Sequence, residues 1–208
     1  MSSISIIGTG NMARTIGTLA VAGGNAVEII GRNAAKAAAL AATLGGGTAT
    51  KPFGAAPSGD IVIVAVRYAD VVPVVSQYGE ALAGKVIVDL SNPFNDAADG
   101  LAIPDDTSIA QQVSEVAPAD AHVVKALNTV FGHVLDKGHR PDVFYAGDDL
   151  QAKADVSRFI ASLGLRPLDV GGVKMAHWLE GAGLLLMGVA RHGVDDFDVA
   201  LGATTFTA

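Results

Sequence analysis

The stretch Ile4-Ser5-Ile6-Ile7-Gly8-Thr9-Gly10-Asn11-Met12-Ala13 decides the fold. An apolar, β-branched run leads straight into a G-x-G-x-x-A turn, and the residues from Asn11 to Ala22 carry a helical pattern. Such a turn uses its first glycine for unusual dihedrals and its second for close approach to a pyrophosphate. The alanine at the third position lets the helix pack tightly on the strand. Exposed N–H groups at the helix start then face the phosphates. A glycine-rich strand–helix corner can also be only a tight turn, so its surroundings decide. Here a strand precedes it, a helix follows, and a second strand comes next at Ala26–Ile30, which together predict dinucleotide binding.

Outward from this turn, short β-branched runs alternate with alanine-rich stretches. The predicted strands are Ile4–Ile7, Ala26–Ile30, Ile61–Val66, Val86–Leu90, His122–Leu127, Val143–Ala146 and Arg166–Val170. Helices are predicted near Asn11–Ala22, Asn33–Leu44, Ala69–Tyr78, Ser108–Val116 and Leu150–Leu163, with a loop from Pro52 to Gly59. Several strands are apolar throughout, as expected when helices cover both faces of a parallel sheet. The fold class is α/β, a Rossmann-type doubly wound, mostly parallel sheet. From Val173 to Arg191 the rhythm gives way to one long helix. Residues 1–170 therefore read as the dinucleotide-binding domain and 171–208 as a small C-terminal helical lobe. Gly181 and Gly188 share one face of that helix, where they would permit a close neighbour.

Composition narrows the functional classes. Of 208 residues, 50% are hydrophobic and 17% charged, enough apolar material for a sizeable core. The net charge is −7, with no dominating basic patch, which argues against nucleic-acid or anionic-membrane partners. Cysteine is absent, so thiol catalysis, disulfides and Cys-ligated metals are excluded. His122, His133, His139 and His192 show no ligand spacing, and no metal is assigned. The N-terminal residues lack the pattern of a signal peptide, and Gly181–Ala190 is too short to span a bilayer. The expected location is the cytoplasm.

The second strand selects the nucleotide. An NAD site normally places Asp or Glu about twenty residues beyond the turn. This chain reads Ile29-Ile30-Gly31-Arg32-Asn33, with Lys36 one turn later, and Glu28 lies inside the strand. Two cations in reach of a ribose 2′-phosphate favour NADP(H). The predicted cofactor-binding set is Gly8, Thr9, Gly10, Asn11, Met12, Arg32, Asn33, Lys36, Ala65, Val66, Arg67, Ser91, Asn92 and Pro93. The loops after the runs ending at Val66, Leu90 and Leu127 should open over the carboxyl edge of the sheet. Asparagine can serve a carboxamide with both donor and acceptor, and Arg67 could meet an anionic acceptor. Phe94, Asn128, Val130, His177 and Trp178 are the expected acceptor-binding residues. No catalytic group is identified; Asn128 and His177 are the candidates.

The segments GTGNMA (Gly8–Ala13), VIVDLSNPFN (Val86–Asn95), VVKALNTVFG (Val123–Gly132), AGDD (Ala146–Asp149) and LGLRPLDVG (Leu163–Gly171) carry a family resemblance. The chain resembles the NADP-dependent oxidoreductases related to the reductase of the deazaflavin coenzyme factor 420. The cytosolic domains of membrane metalloreductases show a similar pattern. The resemblance implies a Rossmann domain with a small C-terminal lobe, usually in a homodimer, moving hydride between NADP(H) and a flavin-like acceptor. It implies nucleotide contacts for Thr9, Arg32 and Asn33, and a place near the nicotinamide and acceptor for Ser91, Asn92, Pro93 and Asn128. Gly31 stands where relatives often have a serine, and Asn128 where archaeal members tend to have histidine.

The expected activity is hydride transfer between NADP(H) and a planar flavin-like ring, the deazaflavin foremost. Ring stacking and cofactor electronics supply most of that chemistry, in keeping with a chain that shows no proton-donor motif. The alternatives are reduction of a small imine or ketone, which needs an acid such as His177 or Tyr68, and a non-catalytic NADP(H) sensor. The apolar Val173–Arg191 helix is expected to pair two copies in a homodimer.

Overall fold

The computed structural model describes residues 1–206. Eight strands form one sheet: β1 (Ser3–Ile7), β2 (Ala26–Gly31), β3 (Ala49–Pro52), β4 (Ile61–Val64), β5 (Val86–Asp89), β6 (His122–Ala126), β7 (Asp142–Gly147) and β8 (Arg166–Asp169). Their order is β3-β2-β1-β4-β5-β6-β7-β8, and every neighbouring pair is parallel except β6 with β7. The helices are α1 (Asn11–Ala22), α2 (Ala34–Leu44), α3 (Tyr68–Tyr78), α4 (Ile109–Val116), α5 (Gly132–Asp136), α6 (Leu150–Ser162) and α7 (Ala176–Gly188). This is the Rossmann-type architecture that the alternating pattern predicts.

Strand alternation sorts the core into two layers. Ile4 and Ile6 join Ala13, Ile16, Phe159 and Ile160 on one face. Ile7, Val62 and Val64 join Val71, Val75, Ile109 and Val113 on the other. Each fully buried Ile or Val side chain contributes about 1.5–3 kcal/mol, which is why the central strands carry so few polar residues. On β1 and β2 the buried exceptions are Ser5 and Glu28, and each satisfies the other: Ser5 Oγ donates to Glu28 Oε2 at 2.7 Å. Burial works to raise the Glu28 pKa, but hydrogen bonds from the Ser58 N–H and Ser5, with the Lys51 charge, outweigh it and hold the carboxyl below its ordinary value.

Three differences from the sequence reading have physical causes. β3 is absent from the predicted strands; Ala-Thr-Lys-Pro has no apolar face to bury, and Pro52 is tolerated because the strand lies at the sheet edge. Asn33 and Ser108 are N-caps rather than helical residues, accepting from the Lys36 and Gln111 N–H groups. The span Val173–Arg191 is not one helix. A 3-10 turn (Val173–Met175) precedes α7, and a widened turn (Val189–Gly193) follows it.

α7 packs directly on the sheet and on α4, burying Ala176, Leu179, Glu180, Gly183 and Leu186. Gly181 and Gly188 make no close approach within the subunit. The close approach is at Gly183, where a Cβ would stand 2.8 Å from Asn92 Oδ1. Among the described residues, no helix is long and apolar enough to cross a membrane.

Candidate functional site

The chain crosses from β3 at one edge of the sheet to β4 on the far side of β1, so the sheet order reverses between β1 and β4. In open α/β sheets the ligand crevice forms at such a reversal, outside the carboxyl ends of the strands. A cleft of about 550 Å³ opens at this point, with the Gly8–Met12 turn as its floor. Arg32, Asn33 and Lys36 stand on one wall, and Ala65, Val66, Arg67 and Asp70 on the other. Phe53 adds an aromatic side.

The two turn glycines do different work. Gly8 has φ +140°, and a Cβ there would stand 2.2 Å from the Ala65 carbonyl oxygen. It lets the turn pass over β4, a requirement of the fold. A Cβ on Gly10 would meet nothing within 4 Å. Nothing in the fold demands a glycine there, so its bare backbone leaves open space against the cleft. Gly10 N-caps α1 without any side-chain bond, so the helix-start N–H groups face the cleft. These features fit a dinucleotide pyrophosphate.

The walls of the cleft carry Arg32, Lys36 and Arg67, with Asp70 as the acid among them. Arg32 reaches Asp70 only at 3.4 Å, and its side chain is 70% exposed. It can therefore turn to a phosphate at little cost. Arg67 lines this same cleft, together with Arg32 and Lys36. Asn33 Oδ1 is engaged by the Lys36 N–H, leaving the amide nitrogen to face a ligand. Glu28, the nearest acid on β2, is bonded to Ser5 and Ser58 and paired with Lys51. It cannot serve ribose hydroxyls. A serine at position 31 would place its Cβ 2.8 Å from Thr9 Cγ2, which accounts for glycine there.

Ser91, Asn92 and Pro93, predicted with the nucleotide set, do not line this cleft; Asn92 is bonded instead to Asn128, from the predicted acceptor set. Asn92 Nδ2 donates to the Asn128 carbonyl at 2.8 Å, and Asn128 Nδ2 donates to Asn92 Oδ1 at 2.9 Å and to the Leu179 carbonyl at 2.7 Å. Sequence reasoning puts both asparagines at one site but does not foresee the bonds between them. Leu127, just before this pair, holds φ +64°, a conformation that bulky side chains rarely adopt. Ser91 Oγ, Asn128 Oδ1 and Thr129 Oγ1 are buried without a hydrogen-bond partner among the described residues. Pro93 and Val130 are buried, so neither offers a surface to a ring, whereas Phe94 and Phe131 are half-buried. His177 hydrogen-bonds the Thr107 carbonyl through Nδ1 at 2.8 Å, a satisfied histidine. Trp178 is 66% exposed, neither core nor pocket within one subunit.

A cluster that sequence reasoning misses lies under the asparagines. Lys125 Nζ donates to Asp89 Oδ2 at 2.8 Å, the Ser91 carbonyl at 2.6 Å and Glu180 Oε1 at 2.7 Å, and all three charged side chains are fully buried. The available signal is a lone charge in each of three apolar runs: Val86–Leu90, His122–Leu127 and Leu179–Gly188.

Comparison with known proteins agrees with this geometry. Residues 3–93 match the family model described as NADP oxidoreductase, coenzyme F420-dependent. That part of the chain is similar to this family. The metalloreductase STEAP3 of Rattus norvegicus is 31% identical over 190 residues, covering 88% of this chain and 37% of the relative. The F420-dependent NADP reductase of Methanocaldococcus jannaschii is 30% identical over 143 residues, covering 65% of this chain and 64% of the relative. The chain thus spans less than two thirds of either curated relative. A crystal structure described as a candidate F420-dependent NADP reductase, from Arthrobacter sp. FB24, superposes with a TM-score of 0.85. It is 24% identical and covers 99% of this chain and 100% of its own. This likeness is one of fold. The family match ends at Pro93, so it contains the whole nucleotide cleft but neither Asn128 nor α7.

Proposed function

We propose that the cleft binds NADP(H) and that the chain is a reductase passing hydride to a planar flavin-like acceptor, the deazaflavin coenzyme F420 foremost. The observation that carries the reading is the cleft itself. It combines an open phosphate turn with Arg32, Lys36 and Arg67, while the nearest acid on β2 is consumed by the fold. When bound, the nicotinamide supplies the hydride. The chain's own contribution is positional: the turn holds the pyrophosphate, the basic wall selects the 2′-phosphate, and the Asn92–Asn128 pair orients polar groups at the reacting end. Phe94, half-buried on the loop that carries Asn92, supplies the aromatic face for a flat ring. Two copies paired through the exposed side of α7 complete the reading, since Trp178 and Leu185 are 66% and 62% exposed there.

Stopped-flow mixing with NADPH tests it. The deazaflavin should be reduced at a rate that rises with its concentration and then saturates. Failure of deazaflavin and flavins alike, with turnover of a small imine or ketone, would replace the flavin-like pocket with a compact one. Tight NADP(H) binding without turnover of any acceptor would leave a sensor.

A further inference from the structure

We infer that Asp89, Lys125 and Glu180 are positioning residues that fix the Asn92–Asn128 pair through the peptide groups of Ser91 and Leu179. Lysine has three donors, and here each has a different target: β5 through Asp89, the following loop through the Ser91 carbonyl, and α7 through Glu180. Asp89 Oδ1 accepts the Ser91 N–H at 2.9 Å, so the N–H of this residue is held by the aspartate and its carbonyl by the lysine. The next residue is Asn92. On the other side, Asn128 is held by the Leu179 carbonyl, and the neighbouring residue is Glu180. Glu180 Oε1 also accepts the Ile109 N–H at the start of α4, so one carboxylate joins β6, α4 and α7.

Taking three ionisable side chains fully out of water is a poor route to stability alone, because apolar residues of similar volume do as well or better. The arrangement gives direction instead. Two polar loops, one opening with the left-handed Leu127, are held in register from below by charge-assisted bonds that are short and angle-selective. Among the described residues, side-chain oxygens of Ser91, Asn128, Thr129 and Glu180 itself are buried at this spot without a hydrogen-bond partner, so the cluster is arranged for geometry at the expense of full polar pairing. The inference rests on the reductase reading for its catalytic arm only.

The test compares Glu180→Leu, which removes the acceptor of Lys125, with Glu180→Gln, which retains one. Hydrogen exchange followed by NMR at the Ser91 N–H and the Asn92 and Asn128 side-chain amides should show lost protection in Glu180→Leu and near-native protection in Glu180→Gln. NADP(H) affinity should be unchanged in both, since the cleft is built from other residues. With a deazaflavin acceptor, kcat should fall about 10–100-fold in Glu180→Leu, the range expected when reacting groups lose alignment, and recover in Glu180→Gln. Should Glu180→Leu not fold, Asp89→Asn provides the second comparison. It keeps an acceptor for the Ser91 N–H, loses that for Lys125, and should lower protection at Asn92 and Asn128. Native protection in folded Glu180→Leu, or equal losses in both Glu180 variants, overturns the inference. A wild-type protein that reduces no acceptor overturns the reductase reading, and the exchange measurement then decides the clamp by itself.

Discussion

Gly8 and Gly10 are two residues apart, and their substitutions should fail differently. In Gly8→Ala the methyl group meets the Ala65 carbonyl oxygen at a backbone angle suited to glycine, so stability should fall by at least about 1–3 kcal/mol, the usual cost of overpacking. Gly10→Ala should melt like the parent and lose nucleotide affinity, because its methyl group enters only the space reserved for the ligand. Thermal melts paired with NADP(H) titrations separate the two; a shared loss of stability would refute the assignment of Gly10. Arg32→Ala should weaken NADPH by about 1–3 kcal/mol, the worth of a charged hydrogen-bond set, and NADH far less. Equal losses for both nucleotides would remove Arg32 from the 2′-phosphate site. The turn and Arg32 are legible in the sequence because each follows from spacing along one segment. The Asn92–Asn128 bonds and the Lys125 cluster are not. They join residues 36 and 55 positions apart, and no periodicity reports which lone charges meet.

At the scale of an element, α7 faces two environments. Its inner side bears Leu179, Glu180 and Gly183 against the asparagine loops, while Trp178 and Leu185 point outward. Leu185→Glu should leave the fold intact and convert a dimer into a monomer by light scattering. A wild-type monomer at micromolar concentration would refute pairing through this face. Glu180 also gives α7 a pH signature. Burial pushes its carboxyl above the ordinary value of 4.5, against the pull of Lys125. A carboxyl raised by folding contributes its full stability below that value and loses it as pH rises toward the folded-state pKa. Glu28 has the opposite sign: held low, it contributes above 4.5 and is lost as pH falls. Denaturant melts from pH 4.5 upward should therefore show Glu180→Gln gaining on the parent as pH rises, and a constant difference would show that Glu180 does not titrate there. The long apolar pattern is legible as a helix; its two-sided character is not, because an apolar residue looks the same whether it meets its own sheet or another subunit.

On the scale of the whole molecule, the chain carries a net charge of −7 yet gathers Arg32, Lys36 and Arg67 around one cleft. Added salt should therefore weaken NADPH binding more steeply than NADH binding, since screening acts on the additional phosphate. Parallel slopes would place that phosphate away from the basic wall. The sheet order adds a different consequence. Residues 1–52 supply β3, β2 and β1, residues 61–169 supply the other five strands, and the pairing of β1 with β4 is the sole strand contact between these halves among the described residues. The cleft lies across that seam, with Gly8–Met12 and Arg32 on one half and Ala65–Arg67 on the other. A nucleotide bound there would touch both halves at once, adding a removable contact across a seam that the β1–β4 ladder and both core layers already hold.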